Sequence, residues 1–586
     1  MLKRLGALTA SLLLIPAAGA HAYNPTGGIL YQLGSEACLK GRGNCAIYPK
    51  SAQLPSGRLV AAFEKSTVVP ASGSADGQTI PVYKSDDHGT TWQPLSEVKA
   101  PAYLGNHPKY TSNWTNPYLY VLPQNVGALK RGTLLMATVV SGDDAYYKEH
   151  KAADPNWTPS NDGDRSDLAI ALYASNDDGV SWRVVNIVAT GGWQGGSAGA
   201  VGQNVAAANT HRQVDPLWEP YLMVYQGKLV CFYSDENDYT GFDPATGVPV
   251  LDPANDTGPD AHGQILAHRT WDGRSANWDR PVVDIAGLTS AQGIGGGRPG
   301  MTNVVPTTDG KWLLTYEYWG GGANTRYRLA DSPLGFFKGS PVGEGVNSLP
   351  VDPGSHPLAT GGSPVLIRLP DGRLVYNAAG SGNVWVNESG RSDGVWKEYR
   401  TTLGAGYSRN LQYDAVTGRV VILRNQGTST LAYAEVDLGR SAGAYYRLLN
   451  RRTGQVIGTG GKTNDADLGN GDVPDVRLEP SAATDTQYWH VVTEPQGGTT
   501  LLNRSGGRAA AIWTGNATEG QRIGQWVDDS PRGSWDLIDA GNGYYRLRSV
   551  KNPELYLTGA SAGAPLTLQK AVSDGSQEWR LTSRRG

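Results

Sequence analysis

Phenylalanine is nearly missing from this chain, at 5 of 586 residues, and methionine (4) and cysteine (3) are scarcer still. Charge is thin too: charged residues make up 18%, against a usual ~25%. Lys and Arg (51) do not outnumber Asp and Glu (54), and the formal net charge is -3. With no basic excess, a nucleic-acid partner is not expected. The Ala/Glu/Lys/Leu bias of helical bundles and coiled coils is absent, while 77 glycines weaken any long helix. Disorder is excluded by 39% hydrophobic residues. Length excludes a single small domain and sets a prior of two to four units, fewer if one is a large β-fold. What is abundant is glycine, at close to twice the usual ~7% share, with 17 tryptophans and 29 tyrosines. A turn-rich β protein remains, with aromatic rings that offer a flat apolar face and a polar edge suited to sugar stacking.

Only the N-terminus carries a long apolar run. Lys3 and Arg4 precede Leu5 to Ile15, and Ala20-His21-Ala22 forms a small-x-small cleavage site. This reads as a signal peptide over residues 1–22, because the run is shorter than the ~20 residues that span a bilayer. Cleavage after Ala22 removes Lys3 and Arg4 and takes the net charge from -3 to -5. The mature chain is expected to be secreted, monomeric and free of the membrane. Cys38 and Cys45 flank a Gly-rich turn and can pair in an oxidising compartment, whereas Cys231, within Leu229 to Tyr233, reads as a buried thiol. Asn113-Trp114-Thr115 and Asn156-Trp157-Thr158 are glycosylation sequons only where the source glycosylates its exports.

From residue 23 to about 440, short alternating runs follow turn signals. Pro55-Ser56-Gly57 precedes Arg58 to Phe63, Asp309-Gly310 precedes Lys311 to Tyr316, and Asp371-Gly372 precedes Arg373 to Tyr376. These are antiparallel hairpins in series. Two turns share the form Ser-x-Asp-x-Gly-x-Ser/Thr-Trp, at Ser85 to Trp92 and Ser175 to Trp182, with a weaker echo from Thr270 to Trp278. The Asp accepts turn N–H groups, the Gly supplies positive φ and the Trp covers the hairpin. The motif resembles the Asp box of sialidase-like propellers, so these residues are structural and the fold is a β-propeller.

From 441 to 586 the texture changes. Tyr445-Tyr446-Arg447-Leu448 recurs at Tyr544-Tyr545-Arg546-Leu547, and Gln487-Tyr488-Trp489 recurs at Gln577-Glu578-Trp579, with Gly533-Ser534-Trp535 midway. A threefold repeat with a period in the mid-forties resembles a ricin-type β-trefoil, whose usual task is carbohydrate binding. The sugar-gripping Asp of such repeats is missing from Gly454 to Gly458, Gly507 to Ala511 and Pro553 to Leu557. The expected fold class is therefore all-β, a propeller followed by a β-trefoil.

A secreted propeller with such an appendage suggests a glycosidase, which needs two carboxylates at one end of the channel. Two glutamates stand in strand-like runs crowded with aromatics: Glu219 in Leu217-Trp218-Glu219-Pro220-Tyr221, and Glu317 in Thr315-Tyr316-Glu317-Tyr318-Trp319. A carboxylate there costs free energy unless paired or used, and burial raises its pKa towards that of a general acid. Ordered blocks complete the picture: Trp218 to Leu222, Tyr233-Ser234-Asp235, Gly263 to His268, Arg298 to Met301, Tyr316-Glu317-Tyr318 and Gly406 to Arg409. Together they resemble glycoside hydrolase family 93, the exo-acting 1,5-α-L-arabinanases, over most of residues 23–439. The resemblance implies a six-bladed propeller, with roughly 70 residues per blade, and a retaining reaction that releases arabinobiose from plant cell-wall arabinan or arabino-oligosaccharide. It implies Glu219 as nucleophile, Glu317 as acid/base and Tyr407 as hydrogen-bond support for the nucleophile, with no cofactor or metal. Arg298 and Arg409 are candidates for gripping substrate, and Trp218, Tyr318 and Trp319 for stacking sugars.

One stretch departs from that pattern. Residues 237–262 are rich in Asp, Pro and Gly, including Asp243, Asp252, Asp256 and Asp260. They can form an ordinary long loop, fold over the channel mouth or offer oxygen ligands to calcium. Rival functions are a sialidase, another exo-glycosidase, or a non-catalytic glycan binder. A sialidase needs an Arg cluster and an Arg-Ile-Pro motif before the first blade, where this chain reads Ala46-Ile47-Tyr48-Pro49-Lys50-Ser51.

Overall fold

The structure, a computed structural model, describes residues 27–36, 38, 45–67, 78–105, 107–142, 152–154, 167–192, 216–237, 239–251, 264–286, 297–319, 322–339, 342–370, 372–415, 417–438, 445–461, 475–482, 484–493, 498–504, 508–526 and 531–583. The leader read at 1–22, the Asn156 sequon and Asp252, Asp256 and Asp260 lie outside these residues. Two compact units lie within Pro25–Ser441 and within Ala442–Gly586. No helix among the described residues is long and apolar enough to cross a membrane.

The first unit is a propeller of six four-stranded antiparallel sheets. Its innermost strands are Ala46–Gln53, Ser112–Val121, Leu217–Tyr225, Arg298–Pro306, Val365–Arg368 and Arg409–Tyr413, taken here as the starts of blades 1 to 6. Each touches the next, and the sixth touches the first, so they enclose a central channel. Gly27–Gln32 closes the ring by pairing with Thr430–Val436 as the outer strand of blade 6. Second strands are sandwiched between neighbouring blades and read as continuous apolar runs; Leu134–Ser141 is buried at every position.

The two Ser-x-Asp-x-Gly-x-Ser/Thr-Trp turns pin outer hairpins. Asp87 accepts from Thr91 N–H (2.8 Å) and from the hydroxyls of Ser85 and Thr91, and Asp177 repeats this with Ser181 and Ser175. Gly89 and Gly179 hold φ of 87° and 86°. The echo at Asp272 is a tighter turn that caps Arg274 and Ser275 N–H, with Trp271 and Trp278 stacked 5.7 Å apart. Cys38 and Cys45 form a disulfide, and Cys231 is fully buried. Asn113 is also buried, its amide bonded to Val98 O and Tyr173 Oη, which closes that sequon to glycan attachment.

A sixfold feature escaped sequence reading. One non-glycine residue per blade adopts left-handed backbone on entry to the innermost strand: Tyr48, Asn116, Glu219, Met301, Ser363 and Ser408, with φ between 45° and 60°. In blades 1 to 4 the ladder slips register at that point, so the position is a bulge. Such residues cost about 1–3 kcal/mol each and re-aim a side chain. All six line one small cavity of 30 Å³ at the channel mouth, and below it the inner strands enclose 690 Å³.

The second unit is a β-trefoil, and its threefold symmetry is visible in three main-chain bonds. Val476 N–H donates to Ile523 O (3.1 Å), Ile523 to Leu566 (2.9 Å) and Leu566 back to Val476 (2.8 Å). Trp489, Trp535 and Trp579 are fully buried, and their indoles donate to Ile457, Ala510 and Leu557 O. Gln487 and Gln577 accept from main-chain N–H five residues earlier, a bond the middle repeat lacks because Gly533 stands there.

Candidate active site

Glu219 and Glu317 sit on adjacent blades. Left-handed backbone at Glu219 (φ 60°) turns its side chain to the cavity, where Oε2 accepts from Ser234 Oγ (3.0 Å) and Met301 N–H (2.7 Å). Glu317, 5% exposed, lies on the second strand of blade 4, Trp312–Trp319. Its Oε1 accepts from the Trp319 indole and from Tyr407 Oη (2.9 Å), and its Oε2 from Ser363 N–H (2.5 Å). Met301 and Ser363 are themselves left-handed residues, so each offers its N–H to the blade before it. Tyr48 does the same towards Ser408 Oγ (2.5 Å).

Glycine makes room for these contacts. A Cβ at Gly300 would lie 2.4 Å from Glu219 Oε2, and one at Gly362 (φ 90°) would lie 2.7 Å from Glu317 Oε2. The Arg298 to Met301 block therefore contains a space requirement as well as a cation.

Burial lifts the pKa of Glu219 to about 7, helped by the charge of Glu317 and opposed by Met301 N–H, Ser234 and Arg298. Glu317 is also raised by burial, against the pull of Trp319, Ser363, Tyr407 and Arg298. Two carboxylates that share one site ionise in steps, so the pair holds one proton up to about neutral pH. Lys50, whose Nζ donates to Arg409 O (3.1 Å), lines the same cavity; burial lowers its pKa to about 8 and Glu219 opposes that.

Three expectations are corrected. Tyr407 supports Glu317 rather than Glu219, because blade 6 turns its hydroxyl towards the blade 4 carboxylate. Arg409 is 1% exposed, and its guanidinium is taken by Gly404 O, Gly406 O and Asn377 Oδ1 (2.7–2.8 Å); it braces a loop and is closed to substrate. Tyr318 is 2% exposed, with Arg326 4.5 Å over its ring and Tyr316 at its edge, so it belongs to the packing between strands. Trp319 is open to solvent at 45%, and Trp218 is partly buried with its indole on Glu236 (2.8 Å). Arg298 also binds Glu236. Sequence reading missed Glu236, Ser363 and Lys50. A Pro follows the left-handed residue at Pro49, Pro117, Pro220 and Pro364, and that repeated x-Pro was the available signal for Ser363.

The described part of the 237–262 stretch is a hairpin, Tyr239–Phe242 with Pro249–Leu251. Tyr239 Oη is anchored on Asp235 (2.7 Å), while Gly247 O accepts from Val283 N–H in the outer strand of blade 3. This hairpin runs outward along its blade and not across the mouth. Asp243 is spent on capping Ala245 and Thr246 N–H within its own turn.

Among solved structures, an α-L-arabinanase of Penicillium chrysogenum complexed with arabinobiose is similar at 25% identity and a TM-score of 0.51, over 71% of this chain and 99% of that one. The first unit has an arabinanase-type fold. A GH93 α-L-arabinofuranosidase of Fusarium graminearum with arabinobiose matches the arabinanase-type propeller at 22% identity and a TM-score of 0.49, over 70% of this chain and 99% of that one. The family model described as ricin-type β-trefoil lectin domain-like matches residues 435–526 and 485–569. A designed threefold-symmetric protein, ThreeFoil, aligns with 24% of this chain and 97% of its own at 24% identity and a TM-score of 0.21. Among curated proteins none matches the chain.

In the trefoil, the indole bonds mark equivalent positions, and the residues after Ile457, Ala510 and Leu557 are Gly458, Ala511 and Thr558. None carries a carboxylate. At Gly458 the carboxylate of Glu479 fills the space, 2.3 Å from where a Cβ would stand.

Proposed function

We propose that the propeller is a retaining exo-glycosidase that acts on α-1,5-linked L-arabinan and releases arabinobiose from chain ends, and that the protein is secreted as a monomer after cleavage behind Ala22. The observation that carries this reading is the pair of carboxylates on adjacent blades, holding one proton near neutrality beside the cations Arg298 and Lys50. Among the described residues no hydrogen-bond donor reaches Oε1 of Glu219, which leaves that oxygen free to attack an anomeric carbon. Glu317 gives its proton to the departing glycosidic oxygen. It then takes one from the water that attacks the same carbon and releases the sugar from Glu219, so configuration is retained through two inversions. Digestion of debranched linear arabinan tests the reading: arabinobiose as the only early product, with retained anomeric configuration by NMR, is expected. Arabinose monomers, or no release, would redirect it.

A second assignment exchanges the two roles, and the donors at Glu317 favour it. Three hydrogen bonds stabilise its carboxylate form, whereas Glu219 has two. Azide separates the assignments: it restores turnover to the alanine variant of the nucleophile with inverted product, and to that of the acid/base with retained product.

A sialidase is not supported. Burial and both carboxylates drive the Tyr407 pKa well above its ordinary value, which suppresses the phenolate that a tyrosine nucleophile needs. Arg409 is closed off and Arg298 is engaged by Glu236, so the described mouth offers no cluster of open guanidiniums.

A further inference from the structure

Glu236 has no role in the chemistry just described, yet it is placed as if it controls that chemistry. It follows the second strand of blade 3, Lys228–Asp235, and its side chain is 2% exposed. One oxygen, Oε1, takes both the Trp218 indole and the Arg298 guanidinium, while Oε2 is buried with no hydrogen-bond partner among the described residues. A buried carboxylate with one empty oxygen is costly, and removing its cation would leave an uncompensated charge. Trp218 is the residue immediately before Glu219, and Arg298 lies two residues before Gly300, against which Glu219 packs. The same anion thus ties down both main-chain segments that form the Glu219 pocket.

We propose that Glu236 is a positioning residue that fixes the Arg298 guanidinium beside the Glu219 and Glu317 carboxylates and tempers its charge, and so sets the pH at which the pair gives up its shared proton. Arg298 favours the ionised form of both carboxylates. A guanidinium without Glu236 would draw the proton from the pair at lower pH and weaken its acid, whereas a displaced one would keep the pair protonated to higher pH and delay ionisation of its nucleophile. The other groups facing the pair are Lys50 from blade 1, Ser234 from blade 3, the Met301 and Ser363 N–H groups, Trp319 from blade 4, and Tyr407 from blade 6 with Tyr48 behind it. None of these described groups carries a negative charge at neutral pH, and Glu236 is an anion bonded directly to Arg298.

The inference rests on the glycosidase reading only for the use made of the proton, so it is tested on the free full-length protein. The protonated-carboxyl infrared band is followed against pH and assigned by its loss in Glu219→Gln. In Glu236→Gln the amide still accepts from Trp218 but no longer offsets Arg298, and the band is expected to disappear at a pH lower by at least half a unit. Arg298→Gln should shift it the opposite way, and the double variant should fall between. An unmoved titration in Glu236→Gln, or a shift in the same direction as Arg298→Gln, overturns the proposal. If Glu236→Gln does not fold, Glu236→Asp retains the charge but withdraws it by one methylene, drawing the guanidinium back. The pair should then titrate at higher pH, and an unchanged titration overturns the proposal equally. Failure to cleave arabinan would refute the assigned substrate and leave these shifts standing.

Discussion

Blades 1 and 4 each bury a glutamate at the same place. Glu64 pairs across its ladder with Ile47 and Glu317 with Gly300, and in both first strands the next residue, Tyr48 or Met301, is left-handed. Both carboxylates reach towards the following blade: Glu64 accepts from Thr115 Oγ1 of blade 2, and Glu317 from Ser363 N–H just before the first strand of blade 5. Their surroundings then diverge. Glu64 is sealed at 0% exposure among hydroxyls, whereas Glu317 meets an indole open to solvent and a tyrosine from across the mouth. The left-handed residue of the blade before also differs: Ser408 precedes blade 1, and Glu219 precedes blade 4. On the proposed reading, a buried glutamate becomes a reaction centre only where a second carboxylate occupies the neighbouring blade.

The largest test of that contrast is kinetic. Glu219→Gln and Glu317→Gln should each lower kcat/KM on linear arabino-oligosaccharide about 10⁴-fold, and Glu64→Gln less than about tenfold. Equal losses in all three would erase the distinction. Next comes stability against pH. The Glu219 pKa is raised from an ordinary 4.5 to about 7, so the protonated folded form is favoured. Its contribution is complete below about pH 4.5 and is lost as pH rises through 7, about 3 kcal/mol in all. Glu219→Gln should therefore resist urea better than the parent at pH 8 and show no such advantage at pH 4.

Glu64→Leu should cost about 2 kcal/mol in the same assay, because Ser66 and Thr115 would be left with buried hydroxyls and no acceptor. Tyr407→Phe should reduce kcat/KM about 10- to 100-fold. Without that donor the Glu317 pKa rises further, and the basic limb of the rate profile, which Glu317 sets as the proton donor, moves to higher pH. An effect on stability with no movement of the limb would assign Tyr407 to packing. Smallest of all, Asp87→Ala should loosen the blade 1 hairpin by about 1 kcal/mol and leave turnover unchanged.

Local signals were legible in the sequence. The Ser-x-Asp-x-Gly turns and the Gln-x-Trp repeats act over a few residues: Asp87 and Asp177 accept turn N–H groups, and Trp489, Trp535 and Trp579 are buried. Glu219 and Glu317 stood out because a carboxylate among aromatics is costly, and they lie on adjacent blades within electrostatic reach of each other. What sequence could not convey is contact between blades. Tyr407 is 90 positions from Glu317 and Tyr48 is 360 from Ser408, and no periodicity joins them. Tyr318 and Arg409 were misread for a related reason. An aromatic or a cation beside an active residue points to the other side of its strand as readily as to the mouth.

The six left-handed positions separate the requirements of folding from those of chemistry. What the ring needs at each is a positive φ, and at Tyr48, Met301 and Ser363 an N–H turned towards the neighbouring blade. What it leaves open is the side chain, and Tyr, Asn, Glu, Met and Ser all occur. The propeller therefore works like a dial with six interchangeable faces. A carboxylate pair can arise, or be engineered, by re-lettering the one face that precedes a glutamate buried on the next blade's second strand, while the ladders behind it stay as they are.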